Sequence, residues 1–182
     1  MDTARVVVVQ PPVTVASDFI DYPYFADLGA VQLAAVLRAR ASFEVALVDA
    51  YALPGATLTW RDEDHRAHLG ASVHDVAKAA LAALQSGLLV DRGSLVDRGS
   101  PGDHGADRPA RAELFVVAYT PFHRPPQRDD VLGALLASLR EAVPGAAIVL
   151  ADCYQSGQHY VEASGDDVLR SYPEADAYVK YE

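Results

Sequence analysis

Four consecutive valines, Val6-Val7-Val8-Val9, limit what this chain can build more than any other stretch. A strand turns successive side chains to opposite faces, so an unbroken β-branched run is dry on both sides, as a central strand of a parallel sheet is. Pro11 and Pro12 follow directly after Gln10. Neither can donate a ladder hydrogen bond, and Pro11 restricts the backbone of Gln10, so the chain leaves the sheet there and runs through a loop to a helix over 28–40. That exit is the carboxyl end of the strand, the edge at which open parallel sheets hold their ligands.

The rest of the chain alternates in the same way. Phe43 to Ala50 reads as a second strand ending in an acid, Asp49. Residues 52–70 carry a Pro54-Gly55 turn signal and read as loop. Ser72 and Asp75 form a capping-box pattern before Val73, Val76, Ala77, Ala80, Leu81 and Leu84 at helical spacing. A third strand, Glu113 to Tyr119, precedes an amphipathic helix marked by Val131, Leu132, Leu135, Leu136, Leu139 and Val143 and stopped by Pro144-Gly145. A fourth strand over 146–151, a short helix over 166–171 and a last strand over 175–179 complete the pattern. It predicts an α/β fold, a three-layer doubly wound five-stranded parallel sheet of Rossmann-like, flavodoxin-like order 2-1-3-4-5, with residues 1–182 as a single domain. Only residues 88–112 break the alternation. There Leu89-Val90-Asp91-Arg92-Gly93-Ser94 is repeated letter for letter as residues 95–100, in a polar, glycine-rich setting expected to be a mobile surface insertion.

Charge and cysteine content exclude several functions. Against 15 Lys and Arg stand 25 Asp and Glu, a net charge of -10, and no basic patch interrupts it, so nucleic acid is not an expected partner. The single cysteine, Cys153, can build neither an internal disulfide nor an iron–sulfur cluster within this chain. No apolar run approaches the ~20 residues of a membrane span, and the first residues lack a signal-peptide layout, so no membrane association is expected and a cytoplasmic location is.

Read in order, Val6 to Pro12, Leu28-Gly29 with Leu33 to Arg38, Val45 to Ala50, and Tyr172 to Val179 resemble the amino-terminal cobalamin-binding domain of cobalamin-dependent radical SAM enzymes. The resemblance spans the chain outside 52–71 and 88–112. It implies a module that holds cobalamin over the sheet edge, facing a radical SAM barrel domain or subunit that carries the cluster, commonly for methyl transfer. Such domains usually close with Gly-Glu-Gly-Glu, where this chain reads Lys180-Tyr181-Glu182, so it is expected to be either a domain cut from a longer protein or a stand-alone relative. They often have Gly-Gly where Ala151-Asp152 stands, glycines that let the cofactor's tail approach the backbone. The Asp-x-His-x-x-Gly motif of histidine-ligated cobalamin proteins is also not matched: Asp64 to Gly70 places its histidines at 65 and 68, and the motif needs one at Ala67.

Cofactor-binding candidates therefore lie after the strands. Gln10, Pro11 and Pro12 end the first, Asp49 and Ala50 the second, and Thr120, Pro121 and Phe122 follow the third. Asp152, Cys153 and Tyr154 follow the fourth, while Tyr22, Tyr24, Leu28 and Gly29 lead into the first helix. The aromatic residues could cover a flat corrin or pack on the domain's own helices, and Gln10 to Pro12 could floor a pocket or simply end a strand. His123 fits an exposed loop histidine better than a cobalt ligand, and Cys153 fits a buried thiol better than a nucleophile. No catalytic or metal-ligating residue is expected. A competing reading is a non-catalytic relative that acts through protein–protein contacts without cobalamin. A receiver domain lacks its acids after the first and third strands, a nucleotide- or flavin-binding domain its glycine-rich loop, and a hydrolase its nucleophile elbow.

Overall fold

The computed structural model describes residues 4–16, 28–40, 42–61, 63–86, 113–123, 127–153 and 163–180. The expected insertion at 88–112 lies outside them. Five strands, β1 (Ala4–Gln10), β3 (Phe43–Asp49), β6 (Glu113–Tyr119), β7 (Ala147–Asp152) and β8 (Ala177–Val179), form one parallel sheet in the order β3-β1-β6-β7-β8. Counting only these strands, the order is 2-1-3-4-5, as the sequence predicts.

The valine run divides between two cores, which is why it cannot alternate with polar residues. Val6 and Val8 face helix α1 (Leu28–Arg38), packing with Ala30, Ala34, Val45, Val116, Ala118 and Ala151. Val7 and Val9 face the opposite layer, where α2 (Val73–Ser86), α3 (Asp130–Ala142) and α4 (Gly165–Ser171) lie over Ala46, Val48, Phe115, Val117, Ile148 and Leu150. Leu132, Leu135, Leu136 and Leu139 are fully buried on α3, each worth about 1.5–3 kcal/mol of apolar burial. The helix starts are capped as their sequences suggest. The Ser72 hydroxyl accepts the Asp75 N–H at 3.1 Å, Asp129 accepts that of Leu132 at 2.9 Å, and Ser164 that of Asp167 at 3.1 Å. Arg140 then fastens the carboxyl end of α3 to the last two strands, donating to the carbonyls of Ala146 at 2.7 Å and Glu174 at 2.8 Å and to the Asp176 carboxylate at 2.7 Å.

The structure departs from the sequence reading at the carboxyl end of β1. Val13–Ala16, expected in a loop, is a strand, β2, and the stretch 52–70, also expected as loop, supplies β4 (Thr57–Arg61) and β5 (Arg66–Gly70). The three form a separate antiparallel sheet in the order β2-β5-β4. Its strands are four or five residues long, and β4 is exposed throughout, so there is no sustained apolar pattern to read. Val13, Val15, Ala67 and Leu69 cluster on one side with Tyr51 and Phe122. No helix among the described residues is long and apolar enough to cross a membrane.

Candidate functional site

The carboxyl edge of the parallel sheet gathers most of the residues singled out from the sequence, but the small sheet closes over part of it. Gln10 ends β1 and is only 3% exposed, and Pro11, Pro12, Val13 and Thr14 beyond it are buried as well. The closure is made by backbone. The Ala50 N–H donates to the Gln10 carbonyl at 3.0 Å, and the Ala71 N–H donates to the Ala50 carbonyl at 2.8 Å, so the ends of β1, β3 and β5 are tied in series. Gly70 makes this possible: its φ of +108° is left-handed, and a β-carbon there would press on Pro12 and Ala50 at 3.1–3.3 Å. Ala50 is consequently fully buried.

Alternation along the strands sorts the remaining edge residues onto two sides. Gln10, Asp49 and Cys153 share the α1 side with Val8, Leu47 and Ala151, and Gln10 and Asp49 are register partners. Asp49 is half-buried and its carboxylate accepts the Tyr51 N–H at 2.9 Å. Burial raises its pKa, and that hydrogen bond opposes the rise in part. The start of α1 is pinned here. A methyl group on Gly29 would overlap the Cys153 carbonyl, so only glycine lets the helix amino end close on the main chain after β7. Leu28, one residue earlier, is 63% exposed. Cys153 is a buried thiol that forms no disulfide.

On the other side Tyr119 and Asp152 are register partners at the ends of β6 and β7. Tyr119 stands among rings, 5.5 Å from His123, 6.0 Å from Tyr172 and 5.5 Å from Tyr178 between centroids. Burial raises the pKa of all three phenols, to about 12 for Tyr172 and Tyr178, so they stay protonated at neutral pH. Thr120 is fully buried, and a single 3-10 turn over Pro121–His123 follows it. In that turn the Thr120 hydroxyl accepts the Phe122 N–H at 3.3 Å, and His123 Nδ1 accepts the Thr120 N–H at 3.0 Å. His123 is therefore no exposed loop histidine. Its ring is fully buried, and burial pushes its pKa down to about 4, so it is neutral and shapes the turn. Phe122 is half-buried against the small sheet.

Tyr22, Tyr24 and Tyr154 lie outside the described residues. Of the others, Leu28, Asp49, Phe122 and Asp152 keep accessible surface at the edge, while Gln10, Pro11, Pro12, Gly29, Ala50, Thr120 and Cys153 are buried in place. Thr14, Tyr119, Asp129 and Tyr172 belong to the same region but were not legible as site residues. Three of them sit inside apolar runs or before a helix, and the only hint was polar residues at positions that periodicity makes buried. Among the described residues no three His, Cys, Asp or Glu are placed to hold a metal ion. The edge offers hydrogen bonds and packing surface. No known family, curated protein or solved structure matches the chain.

Proposed function

We propose that the chain is the cobalamin-binding module of a radical SAM enzyme of the methyltransferase type, acting in the cytoplasm with a barrel domain or subunit that supplies the iron–sulfur cluster. The observation that carries this reading is the Gln10 side chain. It lies at the end of the first parallel strand, on the α1 side beside Asp49, and its carbonyl oxygen is buried with no hydrogen-bond partner. A buried acceptor at that edge calls for a donor, and the amide-rich periphery of cobalamin carries many. Asp49 and Asp152 would add acceptors at the rim, with Leu28 and Phe122 as apolar surface for the ring. Cobalamin, when bound, supplies the methyl-carrying cobalt, and the protein holds and orients it. Incubating the purified chain with hydroxocobalamin and desalting it tests the reading. Retained corrin absorbance near one equivalent, reduced in Gln10→Leu, supports it, and a colourless wild-type protein rejects it.

A second reading, a relative that has kept the sheet for protein contacts without cobalamin, is favoured by one specific observation. Gln10 to Thr14 and Ala50 are buried where the small sheet is tied to the edge, which narrows the surface left for a large ligand. It predicts a colourless protein that co-elutes with a partner from its native host.

A further inference from the structure

Where β2 lies against the 3-10 turn and the end of β6, three more polar atoms are buried without partners: Thr14 Oγ1, Tyr119 OH and His123 Nε2. The proposed cofactor seat does not require them.

Each is fixed by its neighbours. His123 spends Nδ1 on the Thr120 N–H at 3.0 Å, so its neutral ring carries the proton on Nε2 and presents a buried donor. Tyr119 stacks on that ring at 5.5 Å with 29° between planes. The neighbouring Tyr172 hydroxyl is already committed, accepting the Asp129 N–H at 2.7 Å and donating to the His123 carbonyl at 3.1 Å. Thr14 lies on the face of β2 opposite Val13 and Val15, beside its register partner His68, and β2 lies against both the 3-10 turn and α3. The Asp129 carboxylate acts electrostatically on His68, Tyr119 and His123 alike.

We infer that Thr14, Tyr119 and His123 line a buried hydration site between the two sheets, holding one or two water molecules that tie the small sheet to the end of β6. Leaving three such atoms unpaired in a low-dielectric interior is the alternative, and native proteins rarely do so. The chemistry of the walls selects the occupant. One N–H donor and two hydroxyls suit a small molecule that both donates and accepts, and water makes the two to four bonds on offer. An anion is disfavoured by the Asp129 carboxylate. A metal ion finds no set of three ligands among the described residues.

A high-resolution crystal structure of the full chain, with thermal unfolding of Tyr119→Phe and Thr14→Val, tests the inference. The expected result is an ordered water within hydrogen-bonding distance of His123 Nε2 and of at least one hydroxyl. Each near-isosteric variant should lower Tm by about 2–4 °C, the shift that one lost hydrogen bond produces in a chain of this size. Because the water is shared, the double variant should lose less than the sum of the two. A dry site, or variants melting at or above the wild-type temperature, overturns it. The readout is independent of cobalamin, so a protein that binds no corrin still tests it.

Discussion

In the parallel sheet Val6 to Val9 are sandwiched between helical layers. In the small sheet Val13, Val15, Ala67 and Leu69 cluster with Tyr51 and Phe122, and β4 is exposed along its whole length. The first is a framework held by apolar burial on two sides. The second is a cover held by a few backbone bonds and one small cluster, and it sits on the edge where a ligand would bind. Parts of a structure with few buried contacts open at lower free energy than its core, so the two regions should respond differently to perturbation.

The largest contrast comes from the framework itself. Phe115 is fully buried at the centre of β6, and Phe115→Ala should destabilise the chain by about 4 kcal/mol in urea unfolding. Gly29→Ala should follow at about 3 kcal/mol, because the added methyl meets the fixed Cys153 main chain rather than a flexible side chain. It should detach the start of α1 and leave the small sheet's own pairing intact, seen as increased amide exchange confined to α1.

pH probes the junction of the two regions through His123. Its folded pKa of about 4 lies below the ordinary value of 6.5, so between these limits the unfolded chain binds the extra proton. Stability should be full above pH 6.5 and fall by about 3 kcal/mol as the pH drops to 4. The carboxyls of Glu174 and Asp176, lowered by the hydrogen bond from Arg128 and by the Ile148 N–H respectively, add their own losses at still lower pH. His123→Gln should flatten the slope between pH 6.5 and 4, and an unchanged slope would exclude His123 as its source.

The smallest effect belongs to the cover. Leu69 is buried in the four-residue cluster of the small sheet, where collapse around a vacated site is easiest. Leu69→Ala should cost about 2 kcal/mol, and a loss as large as that of Phe115→Ala would show that the two sheets form one cooperative core.

What could be read from sequence follows the same division. The valine run, the Leu132-to-Leu139 spacing and the Pro144-Gly145 stop carry long apolar signals, so strand order, helices and both layers were legible. Val13-Thr14-Val15-Ala16 alternates over too few residues to stand out after two prolines. Thr57–Arg61 buries nothing, so its hairpin pairing with the adjacent β5, from Arg61 against Arg66 to Thr57 against Gly70, has no apolar alternation to announce it. His123, expected as an exposed loop histidine, is buried for a related reason. Its burial depends on packing against Tyr119 and Tyr172, and no local spacing reports that. The edge residues were found because strand ends mark themselves, but which of them the cover hides depends on Gly70 and its left-handed backbone.

The central claim is that ligand binds at the carboxyl edge, between the start of α1 and the ends of β6 and β7. Hydrogen–deuterium exchange on the full chain, with and without hydroxocobalamin, tests it most directly. The account predicts added protection in peptides covering the start of α1, the 118–123 turn and the end of β7, with the amino ends of the strands unchanged. Identical exchange in both samples, or protection at the amino ends of the strands instead, would contradict it.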